Sequence, residues 1–284
     1  MNQALSFGYL PDEYSNPDNA TIVIIPVPYD GTSTWMKGTD KGPEAIIEAS
    51  ANMELYDIET DSEVYKKGIF TDSPIQGLSF PEDVIETLAA RVTYHLEDGK
   101  FVVVIGGEHS ISIGPVKAHA QNHNDLTVLQ LDAHSDLRDE YNGSKYSHAC
   151  VMARVAEICP FLQVGIRSMD ASEKKQMKKS RALFAKDIHA DKNWLKKVVS
   201  KLSKTTYITI DLDVFDPSIM PSTGTPEPGG LSWYEVLSLL KAASENTDIV
   251  GFDVVELCPD ERNKAPNFLA AKLIYKLLSY KFGA

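Results

Sequence analysis

The sequence predicts an α/β fold built on a parallel sheet. Its strand-length runs are continuously apolar rather than alternating, the pattern of strands covered by helices on both faces. Helical patterns lie between these runs, so strand and helix alternate from about residue 81 to the end. No Pro/Gly/Ser-rich linker, low-complexity stretch or internal repeat breaks that order, so residues 1–284 are expected to form a single domain.

The expected strands are Thr21–Val27 (TIVIIPV), Lys67–Thr71, Phe101–Ile105 (FVVVI), Leu126–Leu131 (LTVLQL), Phe161–Gly165, Ala182–Ala185, Thr206–Ile210 (TYITI) and Asp248–Val254 (DIVGFDV). Before the third strand, Val84, Leu88, Val92 and Leu96 recur every fourth residue, and Gly99 follows as a stop. Trp194–Leu202, Trp233–Ala243 and Asn267–Tyr280 carry further helical patterns.

Composition narrows the function. The 284 residues are 43% hydrophobic and 24% charged, enough to bury a core without disulfides or a structural metal. Asp and Glu number 40 against 28 Lys and Arg, a net charge of −12. That balance argues against nucleic-acid partners, which need a basic surface; it is compatible with a cationic substrate but mostly reports solubility. Cys150, Cys159 and Cys258 are too few and scattered for a disulfide framework or a zinc motif. The N-terminal stretch lacks the charged and apolar regions of a secretory signal, and no apolar run could span a bilayer. A cytoplasmic protein with no membrane partner is expected.

Three segments place ionisable residues where an apolar strand ends. FVVVIGGEHS puts His109 just past a strand; TVLQLDAHSD puts Asp132, His134 and Asp136 at alternate positions; YITIDLDVFD does the same for Asp211 and Asp213. Residues i, i+2 and i+4 of extended chain share a side, so each segment is expected to aim its ligands at one place. In open parallel sheets, ligands bind beyond the carboxyl ends of the strands.

A lone histidine is more often a satisfied polar residue than a ligand, and a lone Asp-x-Asp is often a cap or turn. The Asp-x-His-x-Asp run resists that reading, because three unpaired ionisable groups on one face would cost several kcal/mol to bury. A cation would compensate them. Four carboxylates and two imidazoles without a thiolate suit Mn²⁺ better than a structural Zn²⁺ site, and six ligands exceed what one tetrahedral ion uses. Two ions sharing bridging carboxylates fit better, and such a site acidifies a bridging water. Residue chemistry alone thus reaches a dinuclear metallohydrolase without naming its substrate.

The same segments closely resemble the ureohydrolase family of arginases and agmatinases. The matching pieces are GGEHS (Gly106–Ser110), DAHSD (Asp132–Asp136), DLDVFDPS (Asp211–Ser218), PGGLSWYE (Pro228–Glu235), PVPYDGTSTWMKGTDKGPEAI (Pro26–Ile46) and GFDVVELCP (Gly251–Pro259), in the family's order over nearly the whole chain. The resemblance implies a three-layer α/β/α fold with a central eight-stranded parallel sheet, arginase-like, and two Mn²⁺ ions per subunit. His109 and Asp136 would bind one ion, His134 and Asp213 the other, and Asp132 and Asp211 would bridge them. His148, in YSHACVMARV, would be a proton shuttle, although by itself it reads as a residue at a helix start. Glu256, in DVVELCP, would pair with the substrate guanidinium through charge-assisted hydrogen bonds. A bridging hydroxide would attack the guanidinium carbon, Asp136 would take up the proton, and an amine and urea would leave.

The loop LRDEYNGSKYSHA is similar to that of agmatinases, and Asp139 and Glu140 in it could meet a cationic tail. Agmatine, giving putrescine and urea in polyamine biosynthesis, is the first expectation. N1-aminopropylagmatine stands close behind it, ahead of guanidines that carry a carboxylate. Trp35 and Met36 depart from the family's usual loop and could line an extended channel or simply pack. A non-catalytic metal-binding regulator of the same fold and a two-metal phosphoesterase stay open as alternatives. By resemblance the chain is expected to be a homo-oligomer, a trimer or hexamer.

Overall fold

A computed structural model describes residues 6–177 and 181–283. Residues 1–5, part of the stretch read above as carrying no signal, lie outside it. Eight parallel strands form one sheet: β1 (Ile22–Val27), β2 (Ile69–Thr71), β3 (Phe101–Gly106), β4 (Leu126–Leu131), β5 (Phe161–Ile166), β6 (Arg181–Phe184), β7 (Thr205–Asp211) and β8 (Asp248–Val255). Each coincides with one of the expected runs to within a residue or two. The spatial order is β2-β1-β3-β8-β7-β4-β5-β6.

The continuous apolar runs have the cause inferred from them, because successive side chains enter different cores. Ile22 and Ile24 of β1 and Val103 and Ile105 of β3 pack with the helices Gly42–Ser50, Trp233–Asn246 and Ala265–Phe282. Val23, Ile25, Val102 and Val104 instead meet Val84, Leu88 and Val92 of the helix Pro81–Glu97. Further along that second face, Leu126 and Val128 pack with Val116 of the helix Ile113–Asn122 and Val151 of the helix Val151–Ile158. The result is a helix–sheet–helix sandwich in which both pleats of the sheet are buried.

The order of the strands places the chemistry. The chain leaves β3 through Ile113–Asn122 and enters β4, but β8 and β7 come between these two strands. Those inserted strands are linked through Trp233–Asn246 on the opposite face. Connections therefore diverge to both sides of the sheet beside β3, β8, β7 and β4, opening a crevice at their carboxyl ends. Among the described residues no helix is long and apolar enough to cross a membrane. The three cysteines are free.

Candidate metal centre

All six expected ligands meet in that crevice. After β3, Gly106 and Gly107 lead into a short turn, His109–Ser112. Gly107 cannot carry a side chain, because a Cβ there would lie 2.0 Å from the Tyr29 carbonyl oxygen. This close approach seats the β1 loop against the β3 end. After β4, the chain bends instead of staying extended: Asp136 has φ 52, and its carbonyl accepts the Met152 N–H at 3.0 Å. After β7, Leu212–Val214 forms a turn, and Asp211 accepts the Asp213 N–H at 2.8 Å. The extended i, i+2, i+4 geometry is thus not what converges the carboxylates. Turns held by their own aspartates do, since each side chain bonds the backbone two residues on.

Two groups of candidate ligand atoms result, His109–Asp132–Asp211 and Asp132–His134–Asp213, each with its atoms within 4.8 Å of one another. Asp132 belongs to both. His109 Nδ1 lies 3.1 Å from Asp132, 3.1 Å from Asp136 and 3.5 Å from Asp211. His134 Nδ1 lies 2.8 Å from Asp213 and 3.7 Å from Asp132. All but His134 are buried.

Hydrogen bonding indicates which nitrogen is available. His109 Nε2 is 2.9 Å from Thr209 Oγ1, which donates to Asp253 Oδ1 at 2.6 Å. Thr209 therefore accepts from Nε2–H, which leaves Nδ1 as the nitrogen turned toward the carboxylates; burial opposes its protonation, but Asp132, Asp136 and Asp211 outweigh it and raise the imidazole well above its ordinary range. Buried Nδ1 faces three carboxylates, and among the described residues none of them meets it in good hydrogen-bond geometry. A ring nitrogen among acidic oxygens that holds a proton only for want of another cation fits a metal ion placed between them.

Electrostatics agree. Burial, then the neighbouring Asp136 and Asp213 charges, pushes the Asp132 carboxyl up to about 8. Burial, then Asp213 and Asp132, raises Asp211 well above the carboxylate range. Burial opposes a charged His134, but Asp213 outweighs it and holds the imidazole up at about 11. Burial would likewise raise Asp213, yet His134 holds it at about 2. Without cations the centre retains protons, a charge deficit that divalent ions would supply.

Glu256 is 8% exposed and has φ 67, a second left-handed site residue beside Asp136. Its Oε1 accepts the His109 backbone N–H at 2.6 Å, which fixes the carboxylate. Burial, then the Asp211 and Glu108 charges, raises its carboxyl well above the ordinary range. His148 starts a short turn, His148–Cys150, and burial lowers its basicity. Both line the same cleft of about 320 Å³ as His109, His134, Asp136, Asp211 and Asp213.

Asp139 and Glu140, expected to meet a substrate tail, do not line this cleft. Asp139 turns away, because buried Arg154 of the helix Val151–Ile158 donates to both its carboxylate, at 2.9 Å, and its carbonyl, at 3.3 Å. The acids nearest solvent along it are Asp170 and Glu227, beside Trp35, Met36 and Met169, while Glu173 lines it from a buried position. Arg138 also lines it but lies 3.7 Å from Asp170 and over the Tyr141 ring.

Sequence reasoning passed over several supports. Buried Glu173 accepts from Ser135 Oγ at 2.7 Å and Leu137 N–H at 2.8 Å, pinning the bent DAHSD loop. Its signal was present: Asp170 and Glu173 form a capping box. Arg167 donates to the Asp213 carbonyl at 2.6 Å, and Asp253 collects hydroxyls from Ser112, Tyr207 and Thr209. Those contacts join distant segments, and no local pattern announces them.

Comparison with known proteins gives the centre its family. The sequence model described as the arginase family matches residues 20–279. An N(1)-aminopropylagmatine ureohydrolase from Synechocystis is 37% identical over 92% of this chain and 89% of its own. One from Thermus thermophilus is 39% identical over 93% of this chain and 91% of its own. The crystal structure of agmatine ureohydrolase from Thermoplasma volcanium superposes with a TM-score of 0.91 at 30% identity, covering 100% of this chain and 96% of that one. A match along almost the full length, on a sheet whose strand ends carry the metal-ligand motifs, shows that this chain belongs to the arginase family and is a ureohydrolase acting on guanidino compounds.

Proposed function

We propose that the protein hydrolyses N1-aminopropylagmatine, releasing urea. The observation that carries the reaction class is the pair of ligand groups sharing Asp132, with His109 Nδ1 facing three carboxylates. Two Mn²⁺ ions are the proposed cofactor; His109 and Asp136 would hold one, His134 and Asp213 the other, and Asp132 and Asp211 would serve both. When bound, such a pair activates water and polarises the scissile group.

The chain's own residues do the rest. Glu256 Oε1 is held by the His109 backbone, and its other oxygen is available to a guanidinium N–H. The arriving cation supplies the positive charge that stabilises the ionised carboxylate. Asp136, beside His109 Nδ1, is placed to hold the proton given up at the reacting centre. His148 carries a proton between the cleft and the departing amine. Asp170 and Glu227 at the mouth offer acids to a cationic tail, and exposed Trp35 offers an aromatic face to its methylenes.

The sequence alone put agmatine first. The ureohydrolases of Synechocystis and Thermus carry the aminopropylagmatine name, and their similarity favours the longer substrate. Agmatine remains the second reading, supported by the Thermoplasma structure. We further propose one catalytic unit spanning the chain, a cytoplasmic setting and a homotrimer or homohexamer, the last on family resemblance.

The test is urea release from purified protein loaded with Mn²⁺, Co²⁺ or Ni²⁺, across N1-aminopropylagmatine, agmatine, arginine and guanidinobutyrate. The two cationic guanidines should lead. Arginine should be poorer by about a hundredfold or more in kcat/KM, because its α-carboxylate meets acids without an unpaired partner. Comparable arginine turnover would exclude the proposed substrate class, and a panel yielding no urea would exclude the activity.

A further inference from the structure

We propose that Thr32 and Glu108 are positioning residues that set the tautomer and orientation of the His148 ring. The inference rests on the proton-transfer role proposed above for His148, and it is carried by hydrogen-bond bookkeeping at one hydroxyl. Thr32 Oγ1 meets three groups: Glu108 Oε1 at 2.6 Å, the His148 backbone N–H at 3.0 Å and His148 Nδ1 at 3.1 Å. A hydroxyl has one hydrogen to give, and a carboxylate only accepts. The hydrogen therefore goes to Glu108, and Oγ1 acts as acceptor toward both groups of His148. Nδ1 must then carry a hydrogen, which leaves Nε2 as the basic nitrogen of a ring that lines the cleft.

The carboxylate at the far end is held on all sides. Glu108 is fully buried; its Oε2 accepts the Thr32 and Ser33 N–H groups, and its Oε1 also accepts Ser110 Oγ at 2.6 Å. The ring has two further neighbours. Ser147 Oγ lies 3.3 Å from Nδ1, where it can accept the same hydrogen, and Tyr141 stands edge-on at 5.9 Å. Three segments far apart in sequence thus converge: the loop after β1, the GGEHS turn after β3 and the turn that begins at His148. A simple loop anchor would not need this side-chain contact, since the backbone bonds of Thr32 and Ser33 to Glu108 already tie the loop down.

The chemical reason for such a chain is tautomer control. An imidazole that must accept a proton at Nε2 fails if that nitrogen already bears one, and the bond at the other nitrogen decides which form is present. The hydrogen bonds of Thr32 go to Glu108 and His148 and to none of the six metal-ligand side chains, so it can be altered with the centre in place.

The experiment compares Thr32→Val and Thr32→Ser in the Mn²⁺-loaded protein and in its His148→Ala background, with ¹⁵N NMR of the His148 ring in the metal-free protein. Thr32→Val keeps both backbone bonds to Glu108 and removes the acceptor. It should lower kcat by about ten- to a hundredfold, the usual cost of losing an outer hydrogen-bond partner, with KM and metal content little changed. Thr32→Ser should recover most of the loss. In the His148→Ala background, Thr32→Val should cost nothing further, since groups acting as a unit are not additive. The NMR spectrum should show the Nδ1–H form in the parent and a mixture in Thr32→Val. An equal loss from Thr32→Val in both backgrounds, or an Nε2–H form in the parent, would overturn the inference. If Thr32→Val does not fold, Thr32→Ala replaces it and the parent spectrum still decides. If no guanidine yields urea, the proposed function falls while the spectrum separately tests the tautomer.

Discussion

Replacing Glu256 by Gln should isolate the contact between the protein and the guanidinium. Gln has nearly the same shape and tolerates the same left-handed backbone. Its amide oxygen can take over the bond from the His109 N–H, made at 2.6 Å by Oε1. The NH₂ group then falls where the second oxygen stood, so a donor faces the donors of the guanidinium and the negative charge is gone. Glu256 is 8% exposed, so solvent screens the pair weakly. Removing one partner of a buried, hydrogen-bonded charge pair costs about 2–5 kcal/mol, or roughly 30- to 5,000-fold in kcat/KM. The assay is urea release from N1-aminopropylagmatine and from agmatine, with metal content measured on the same samples. Both substrates should lose by the same factor, because the guanidinium is common to them, and the metal content should stay unchanged. A loss under about threefold would refute the pairing, being smaller than a single neutral hydrogen bond is worth. Loss of metal would instead show that Glu256 serves the ligands.

The two ligand groups make separable predictions. Asp132→Asn should deplete metal from both sites, because Asp132 belongs to both groups, whereas Asp213→Asn should spare the His109 side; equal depletion by the two changes would contradict that division. Chelation should make stability depend on pH in a defined direction. Asp132, raised to about 8 from 3.8, and His134, raised to about 11 from 6.5, bind protons more tightly in the metal-free fold than unfolded. Each gives stability present at low pH and lost as pH rises through those values; Asp213, held at about 2, matters only in strong acid. The Tm difference between Mn²⁺-loaded and EDTA-treated protein should therefore widen from about pH 6 to about pH 9, because metal displaces those protons. A constant or narrowing difference would show that the ligands do not retain protons.

The eight strands were legible because each is buried on both faces and so had to be apolar at every position. Helices were legible where one stripe is buried, as with Val84, Leu88 and Val92. The six metal-ligand candidates were legible because hydrophilic, ionisable residues immediately following such strands are chemically conspicuous. Their geometry was not. The extended spacing rule would have aimed Asp132, His134 and Asp136 to one side, yet Asp136 sits in a left-handed turn. Asp139 and Glu140 looked like tail receptors from their charge, but Asp139 is taken up by Arg154, which no local pattern announces.

The sequence by itself determined the parallel α/β class, the strand positions and the residues able to bind metal, because burial and ligand chemistry are written in residue type and short-range spacing. Strand order was decided only in three dimensions, since nothing local says that β7 and β8 insert between β3 and β4. The supports of the site were decided there too. Thr32 and Glu108 are 76 residues apart, Thr32 and His148 116, and Glu256 and His109 147. A hydrogen bond between such distant groups depends on where the sheet delivers each strand end, and that placement is set by the packing of the whole core rather than by any one segment.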